Sequence, residues 1–129
     1  MAGAASGGIR ILLRLEGLCV FVVSLLAYAR YGGTWGAFGL CLLAPDLSLF
    51  GYLAGPKVGA MAYNVAHSLI GALATLAAGI MLSAPLAVIA GIIWVAHIGL
   101  DRALGYGLKY SNGFGVTHLG LIGRTRVDA

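Results

Sequence analysis

The stretch PLAVIAGIIWVAHIGLDRALGY, residues 85–106, decides the fold class of this chain. It is long enough to cross a hydrocarbon core of about 30 Å, which takes about 20 apolar residues in a helix. His97 and Asp101 nevertheless lie inside it, where desolvating a polar side chain is costly. Such residues usually face a protein interior or a water-filled cavity. The stretch therefore predicts both a membrane span and a functional site.

Three further apolar stretches of similar length precede it, at roughly 11–29, 35–54 and 58–82. Short segments of glycine, proline and polar residues separate the stretches, which indicates turns. Connections this short favour antiparallel neighbours. The sequence therefore predicts an all-α, polytopic membrane protein with a single domain, 1–129. Its four transmembrane helices form an antiparallel bundle, and the tail 107–129 lies at the membrane interface.

The composition agrees with a membrane protein. The chain is 60% hydrophobic and 9% charged, and its mean hydropathy is +0.98. A soluble domain needs a more polar surface than this composition supplies. The net charge of +4 is compatible with a nucleic-acid partner. The basic residues lie at the ends of the apolar stretches and form no stripe, which excludes that partner.

The distribution of Lys and Arg predicts the orientation of the bundle. With four crossings, both termini and the turn between the second and third helices lie on one side. The basic residues of that side are Arg10, Arg14, Lys57, Arg102, Lys109, Arg124 and Arg126, against Arg30 alone on the other. The positive-inside rule makes the first side cytoplasmic, which places both termini in the cytoplasm. The predicted location is a bacterial inner (plasma) membrane.

Small residues recur at spacings of four on the third predicted helix, where Gly71, Thr75 and Gly79 form a ridge. Small side chains let helix backbones approach closely, which drives helix association in lipid. The ridge predicts either tight packing within the bundle or a homo-oligomer interface, and the sequence does not separate the two.

Polar residues of all four predicted helices lie at similar depth. At 1.5 Å per residue from the cytoplasmic ends, Glu16, Asp46, His67 and His97 are roughly 9 to 14 Å deep. Asp101 is roughly 6 to 8 Å deep and shares a helix face with His97, four residues earlier. The alignment predicts one polar layer in the cytoplasmic half of the bundle.

Pro45, just before Asp46, predicts a kink in the second helix, because proline removes a backbone hydrogen bond. Irregular backbone is tolerated at this depth only where it lines a cavity or is buried in protein. The glycine-rich tail is too short for a fifth crossing. It could fold back over the polar layer, with Thr117 and His118 reaching in, or remain an interfacial tail.

These residues suit several functions, of which a membrane-embedded metal site is the first. Asp46, His67, His97 and Asp101 offer the nitrogen and oxygen ligands that zinc or another divalent ion takes. Three ligands and a water would give a metal-activated nucleophile, and the substrate would be a lipid or other amphiphile. We predict His118 or Glu16 as the general acid or base.

Three alternative functions also fit these residues. In a b-type haem protein, His67 and His97 would be the axial ligands. In a transporter or proton relay, Asp46 and the histidines would carry protons or ions, and four helices are few for a transporter unless it oligomerises. In a non-catalytic accessory or assembly subunit of a larger membrane complex, the polar layer would only fix the helix register.

A resemblance to a known family rests on five short motifs. They are Pro45-Asp46-Leu47-Ser48 with Gly51-Tyr52, Tyr63-Asn64 with His67, His97-Ile98-Gly99 with Asp101-Arg102, the segment 105–110, and Thr117-His118-Leu119-Gly120. Together they resemble a family of small bacterial membrane proteins classed as a domain of unknown function. The resemblance spans nearly the whole chain and implies a four-helix membrane fold without an activity. The Pro-Asp and His/Asp motifs are also loosely similar to integral-membrane metal-dependent hydrolases, which carry longer His/Asp motifs.

Overall fold

The computed structural model describes residues 6–108, 116–117 and 119–121. Four segments of these residues are helical, long and apolar enough to cross a membrane. They are Gly7–Tyr31, Trp35–Ala54, Pro56–Met81 and Pro85–Leu104. The predicted all-α fold with four spans is confirmed, with bounds within a few residues of those predicted. By length and composition, the chain is a multi-pass membrane protein.

The second span is not one continuous helix. It consists of α2 (Trp35–Leu42) and a 3-10 helix (Ala44–Ala54) that meet at Leu43. The break lies where the sequence predicts a kink, because Pro45 has no backbone N–H to continue the α-helical ladder. The N–H of Asp46 bonds to the carbonyl of Leu43 at 3.0 Å, three residues back, as in a 3-10 helix.

The third span is also broken, and no proline marks this break. It consists of α3 (Pro56–His67) and α4 (Leu69–Met81), with Ser68 extended between them. The Ser68 hydroxyl oxygen accepts a hydrogen bond from the N–H of Ile70 at 3.3 Å and so caps α4. The structure thus divides a span that the sequence predicts as continuous.

α5 (Pro85–Leu104) lies at the centre of the packing. It runs antiparallel to α1 (Gly7–Tyr31) and to α4 and contacts both extensively, while the 3-10 helix packs against α3. Within its most apolar 18 residues, 44% are buried, against 17% or less in the other spans. The first span therefore packs mainly on the fourth. The short connection to the second span does not make that span its main neighbour.

α1 and α2 meet at their shared turn through an aromatic group. Tyr28 is 1% exposed and its ring centroid lies 5.0 Å from that of Trp35 and 4.8 Å from that of Phe38. The Tyr28 hydroxyl donates a hydrogen bond to the carbonyl of Thr34 at 2.6 Å. This buried tyrosine therefore fixes the turn between the first two spans.

Glycines allow the helices to approach α5 closely. A Cβ added at Gly99 would lie 2.7 Å from the amide nitrogen of Phe21 and 2.9 Å from the carbonyl oxygen of Gly17. On α4, a Cβ at Gly79 would lie 2.7 Å from the amide nitrogen of Val88. Gly79 belongs to the predicted ridge of small residues, which therefore packs within the bundle.

The outward surface of the spans is apolar. Leu53, Ile70 and Leu86 are 86%, 80% and 82% exposed. Such residues would be a liability in water, but they are the expected surface of spans in a hydrocarbon core.

Part of the C-terminal tail forms a small hairpin. β1 (Val116–Thr117) pairs antiparallel with β2 (Gly120–Leu121). Leu119 between them is fully buried. His118, which could reach into the polar layer or lie in a plain interfacial tail, is outside the described residues, as is Lys109.

We expect Gly99→Val to lower the free energy of unfolding by about 1 to 3 kcal/mol, because the added methyl groups overpack the contact between α1 and α5. Denaturation with dodecyl sulfate in mixed micelles measures the change. Gly39→Val is the matched control, since a Cβ there meets nothing within 4 Å. Equal stability of the two variants would contradict the close approach of α1 and α5.

Candidate metal centre

Four ionisable side chains from three spans meet at one point of the bundle. Asp46 lies in the first turn of the 3-10 helix, and His67 is the last residue of α3. His97 and Asp101 lie one turn apart on α5. The structure thus brings together all four residues that the sequence predicts as metal ligands, and each break in a span adjoins one of them. We call these four residues the Asp/His cluster.

The facing atoms of the cluster are close together. The Nε2 atoms of His67 and His97 are 3.0 Å apart. Asp46 Oδ1 lies 3.2 Å from each of these nitrogens. Asp101 Oδ2 lies 3.4 Å from Nε2 of His67 and 3.1 Å from Nε2 of His97. Among the described residues, no other group of three or more His, Cys, Asp or Glu side chains is placed to hold an ion.

The cluster is closed on one side and open on another. His67 and His97 are only 3% and 4% exposed. The side chain of Asp101 is 17% exposed, whereas that of Asp46 is 43% exposed. A water molecule or another small group can therefore approach the cluster from the side of Asp46.

The outer ring nitrogens fix the protonation of both imidazoles. Nδ1 of His67 lies 2.9 Å from the carbonyl oxygen of Tyr63, and Nδ1 of His97 lies 2.5 Å from that of Leu42. A carbonyl oxygen only accepts hydrogen bonds, so each Nδ1 carries a proton and donates it. In a neutral ring, Nε2 is then unprotonated, and Nε2 is the atom that faces the cluster.

With neutral rings, the cluster therefore brings four acceptors together: two imidazole lone pairs and two carboxylate oxygens. Acceptors about 3 Å apart repel one another unless a positive charge lies between them, and that charge is a metal cation or added protons. Histidines that bind metals almost always donate their second N–H to a carbonyl or carboxylate, as both rings do here.

The separations fit a single bound ion. Five of the six lie between 3.0 and 3.4 Å, and the two carboxylate oxygens, which form the sixth pair, lie within 4.8 Å of each other. A zinc tetrahedron with bonds of about 2.0 to 2.1 Å has edges of about 3.3 to 3.4 Å. An octahedron with bonds of about 2.1 to 2.3 Å has adjacent ligands about 3.0 to 3.3 Å apart. The donor set is therefore compatible with zinc or with a six-coordinate divalent ion.

The break in the second span supplies the acceptor that anchors His97. In a continuous α-helix, the carbonyl of Leu42 would accept the N–H of Asp46, but that N–H bonds to Leu43. Pro45, three residues after Leu42, has no N–H to offer. The carbonyl is left to the imidazole, so the break positions both Asp46 and the partner of His97.

Side chains of α5 donate hydrogen bonds to the backbone carbonyls that the break in the third span leaves free. The indole Nε1 of Trp94 donates to the carbonyl of Ala66 at 2.5 Å, and Nη2 of Arg102 donates to the carbonyl of His67 at 3.2 Å. Backbone carbonyls freed within a membrane need such partners. The sequence predicts neither of these two hydrogen bonds. A signal for Trp94 was present, because it lies three residues before His97 and seven before Asp101, on one helix face.

Tyr63 holds the His67 ring in place, and this contact was not predicted either. The two rings are stacked, with centroids 3.7 Å apart and planes 7° apart. Tyr63 is 4% exposed, and its carbonyl is also the acceptor for Nδ1 of the same histidine. One residue thus fixes both the plane and the tautomer of the His67 ring.

Of the two residues predicted as acid or base, Glu16 does not join the cluster. Glu16 is exposed on α1 and borders a separate cavity of about 90 Å³ together with Arg102. It makes no hydrogen bond or ion pair within the part of the chain that the structure describes. His118 lies outside that part, so its role stays a prediction.

The geometry does not suit a haem held by His67 and His97. Axial imidazoles on opposite faces of a porphyrin bind one iron along a line, which holds their nitrogens about 4 Å apart, twice a metal–imidazole bond. Here the two Nε2 atoms are 3.0 Å apart, and both carboxylates lie beside them in the space that the porphyrin would need. The haem alternative is therefore set aside.

We expect Trp94→Phe to destabilise the protein by about 1 to 3 kcal/mol, because the carbonyl of Ala66 loses its donor inside the bundle. Unfolding in mixed micelles gives the change. Trp35→Phe is the matched control, since Trp35 is 54% exposed and phenylalanine keeps its aromatic contacts. A loss of the same size in both variants would contradict the role given to the indole N–H.

Comparison with known proteins identifies the family of this chain but does not identify an activity. No curated protein and no solved structure matches the chain. One family matches residues 10–122, and its description is "Domain of unknown function" (DUF4260). This match covers most of the chain and agrees with the resemblance to an uncharacterised family of small membrane proteins. The chain belongs to the DUF4260 family.

Proposed function

We propose that this protein binds one divalent metal ion at the Asp/His cluster and uses it to hydrolyse a lipid or other amphiphile within the membrane. The observation that carries the proposal is the pair of histidine Nε2 atoms 3.0 Å apart, each with its Nδ1 bound to a carbonyl oxygen. Two neutral imidazoles arranged in this way have no proton to share between them, and both offer lone pairs to a cation.

Charge balance is consistent with a divalent ion. Asp46 and Asp101 together bring two negative charges into a bundle surrounded by hydrocarbon, where unpaired charges are costly. One divalent cation neutralises both carboxylates. Two added protons would do the same by making both histidines cationic, and this is the arrangement expected of a proton relay or a purely structural polar layer. The metal content of the purified protein therefore distinguishes a bound divalent ion from two protonated histidines.

The bound ion would act as a Lewis acid that activates a water molecule or polarises a carbonyl or phosphoryl oxygen. The two buried histidines hold the ion, and Tyr63 together with the carbonyl of Leu42 keeps their rings oriented. Asp46 is the most exposed member of the cluster, so it borders the side from which substrate approaches.

The proposed location is a bacterial plasma membrane with the cluster in the cytoplasmic half. Basic residues gather at the end of the bundle nearest the cluster. There Arg14 donates to the carbonyl of Ala103 at 3.0 Å, and the Arg10 side chain lies near Gly105. The positive-inside rule assigns this end to the cytoplasm. The substrate would then come from the inner leaflet.

We expect the purified wild-type protein to contain about one divalent ion per chain, and His67→Ala and Asp46→Asn to lose it, because each removes a ligand. Elemental mass spectrometry after gel filtration measures the content. Glu16→Gln, an acid-to-amide change outside the cluster, is the control and keeps the ion. Wild-type protein that binds none of zinc, manganese, iron or magnesium at about one ion per chain would overturn the proposal.

We also expect the metal-loaded protein to hydrolyse membrane lipids supplied as an extract in nanodiscs. Chelation or Asp46→Asn should reduce the rate by about 100-fold or more, since metal activation supplies several kcal/mol of barrier lowering. Mass spectrometry of the lipids before and after incubation identifies the cleaved bond. Products that also form with His67→Ala protein would show contaminating activity, and a bound ion without any metal-dependent product would refute the hydrolase.

A further inference from the structure

An apolar groove of about 600 Å³ lies beside the Asp/His cluster, between the second span, the end of α3 and α5. Its lining includes Ala37 and Pro45 on the second span, Ala66 on α3, and Ala90 and Trp94 on α5. None of its described lining residues is charged. The volume is typical of a site for a small ligand, and the lining is typical of one that binds hydrocarbon.

One end of the groove adjoins the cluster. Pro45 directly precedes Asp46, and Ala66 directly precedes His67. The other end reaches Leu86, at the start of α5. From Trp94 to Leu86 the groove follows α5 for eight residues, or about 12 Å. It therefore leads from the cluster toward the opposite face of the membrane.

This direction matches the orientation of an amphiphile. A lipid in the leaflet nearest the cluster places its polar part toward that surface and its chains toward the opposite side. A polar group at the cluster would therefore leave its hydrocarbon chain in line with the groove. Alanines on all three walls, at 37, 66 and 90, keep the groove open along this line.

A second apolar groove offers a comparison within the same molecule. It has a volume of about 420 Å³ and lies between α1, α4 and α5. None of its described lining residues adjoins a cluster residue in the chain. Surface grooves are thus present elsewhere in the bundle, and only the larger of these two has a polar end that could hold a headgroup.

We infer that the larger groove binds one hydrocarbon chain of the substrate amphiphile and so sets which lipids reach the cluster. The placement of the polar group at the ion rests on the proposed function. Binding of the chain depends only on the groove, so the two claims can fail separately.

Trp94 is a built-in reporter of this binding, because its indole lines the groove. The chain has two tryptophans, so Trp35→Phe leaves Trp94 as the only fluorophore of its kind. The probe is dibromostearic acid, whose bromine atoms quench tryptophan on contact, added to the Trp35→Phe protein in phosphatidylcholine nanodiscs. Unbrominated stearic acid is the competitor, and dibrominated phosphatidylcholine measures quenching by bulk lipid.

We expect saturable quenching that stearic acid reverses. Ala90→Phe should weaken it about tenfold or more, because a phenyl ring placed in the groove overpacks the bound chain. Ala37→Phe, on the facing wall, repeats the test should the first variant fold poorly. Ala77→Phe is the matched control on the exposed surface of α4, outside both grooves, and should leave quenching unchanged.

Quenching that rises linearly with probe and ignores both groove variants would overturn the inference, since it would report only bulk lipid. Elemental analysis of the same untreated samples separates this claim from the metal proposal. Saturable quenching by protein that holds no ion as purified and takes up none when metal is added would support the groove and refute the metal centre. A stoichiometric ion without saturable quenching would support the metal centre and refute binding of a hydrocarbon chain in the groove.

Discussion

Two imidazole rings, each anchored by its Nδ1–H to a backbone carbonyl, face one another through their Nε2 atoms in the middle of a membrane bundle. This pair constrains the rest of the structure. Each neutral ring carries its proton on Nδ1, so neither Nε2 can donate a hydrogen bond to the other ring. The carboxylates of Asp46 and Asp101 add two more acceptors. Some positive charge must hold the four groups together, and lipid surroundings make its absence costly.

The irregular parts of the fold follow from this constraint. A continuous second span would use the carbonyl of Leu42 within its own helix and leave His97 without an anchor. The break at Pro45 frees that carbonyl and turns Asp46 toward the histidines. The break at Ser68 ends α3 at His67. Trp94 and Arg102 offset the lost backbone hydrogen bonds by donating to the freed carbonyls. α5 thus provides two members of the Asp/His cluster and stabilises the break that positions a third.

Much of this arrangement could be predicted from sequence. Span length and hydropathy identify four crossings, and counting residues from the span ends places Asp46, His67 and His97 at one depth. The break at Ser68 could not be predicted, because no proline or glycine marks it and its stability comes from α5, distant in sequence. The packing of α1 on α5 depends on glycines whose partners only the fold reveals. Glu16 shares the depth of the cluster but lies on an exposed part of α1, and depth alone does not show which way a side chain points.

The most direct test of the account is X-ray absorption spectroscopy at the edge of the metal bound to the purified protein. We expect a first shell of nitrogen and oxygen at about 2.0 to 2.3 Å, with the outer-shell scattering of two imidazole rings. His97→Ala protein, which lacks one ligand and holds the metal only when metal is added in excess, should show one imidazole. A shell of sulfur, or of oxygen without imidazole scattering, would contradict the claim that the two histidines and two aspartates hold one ion.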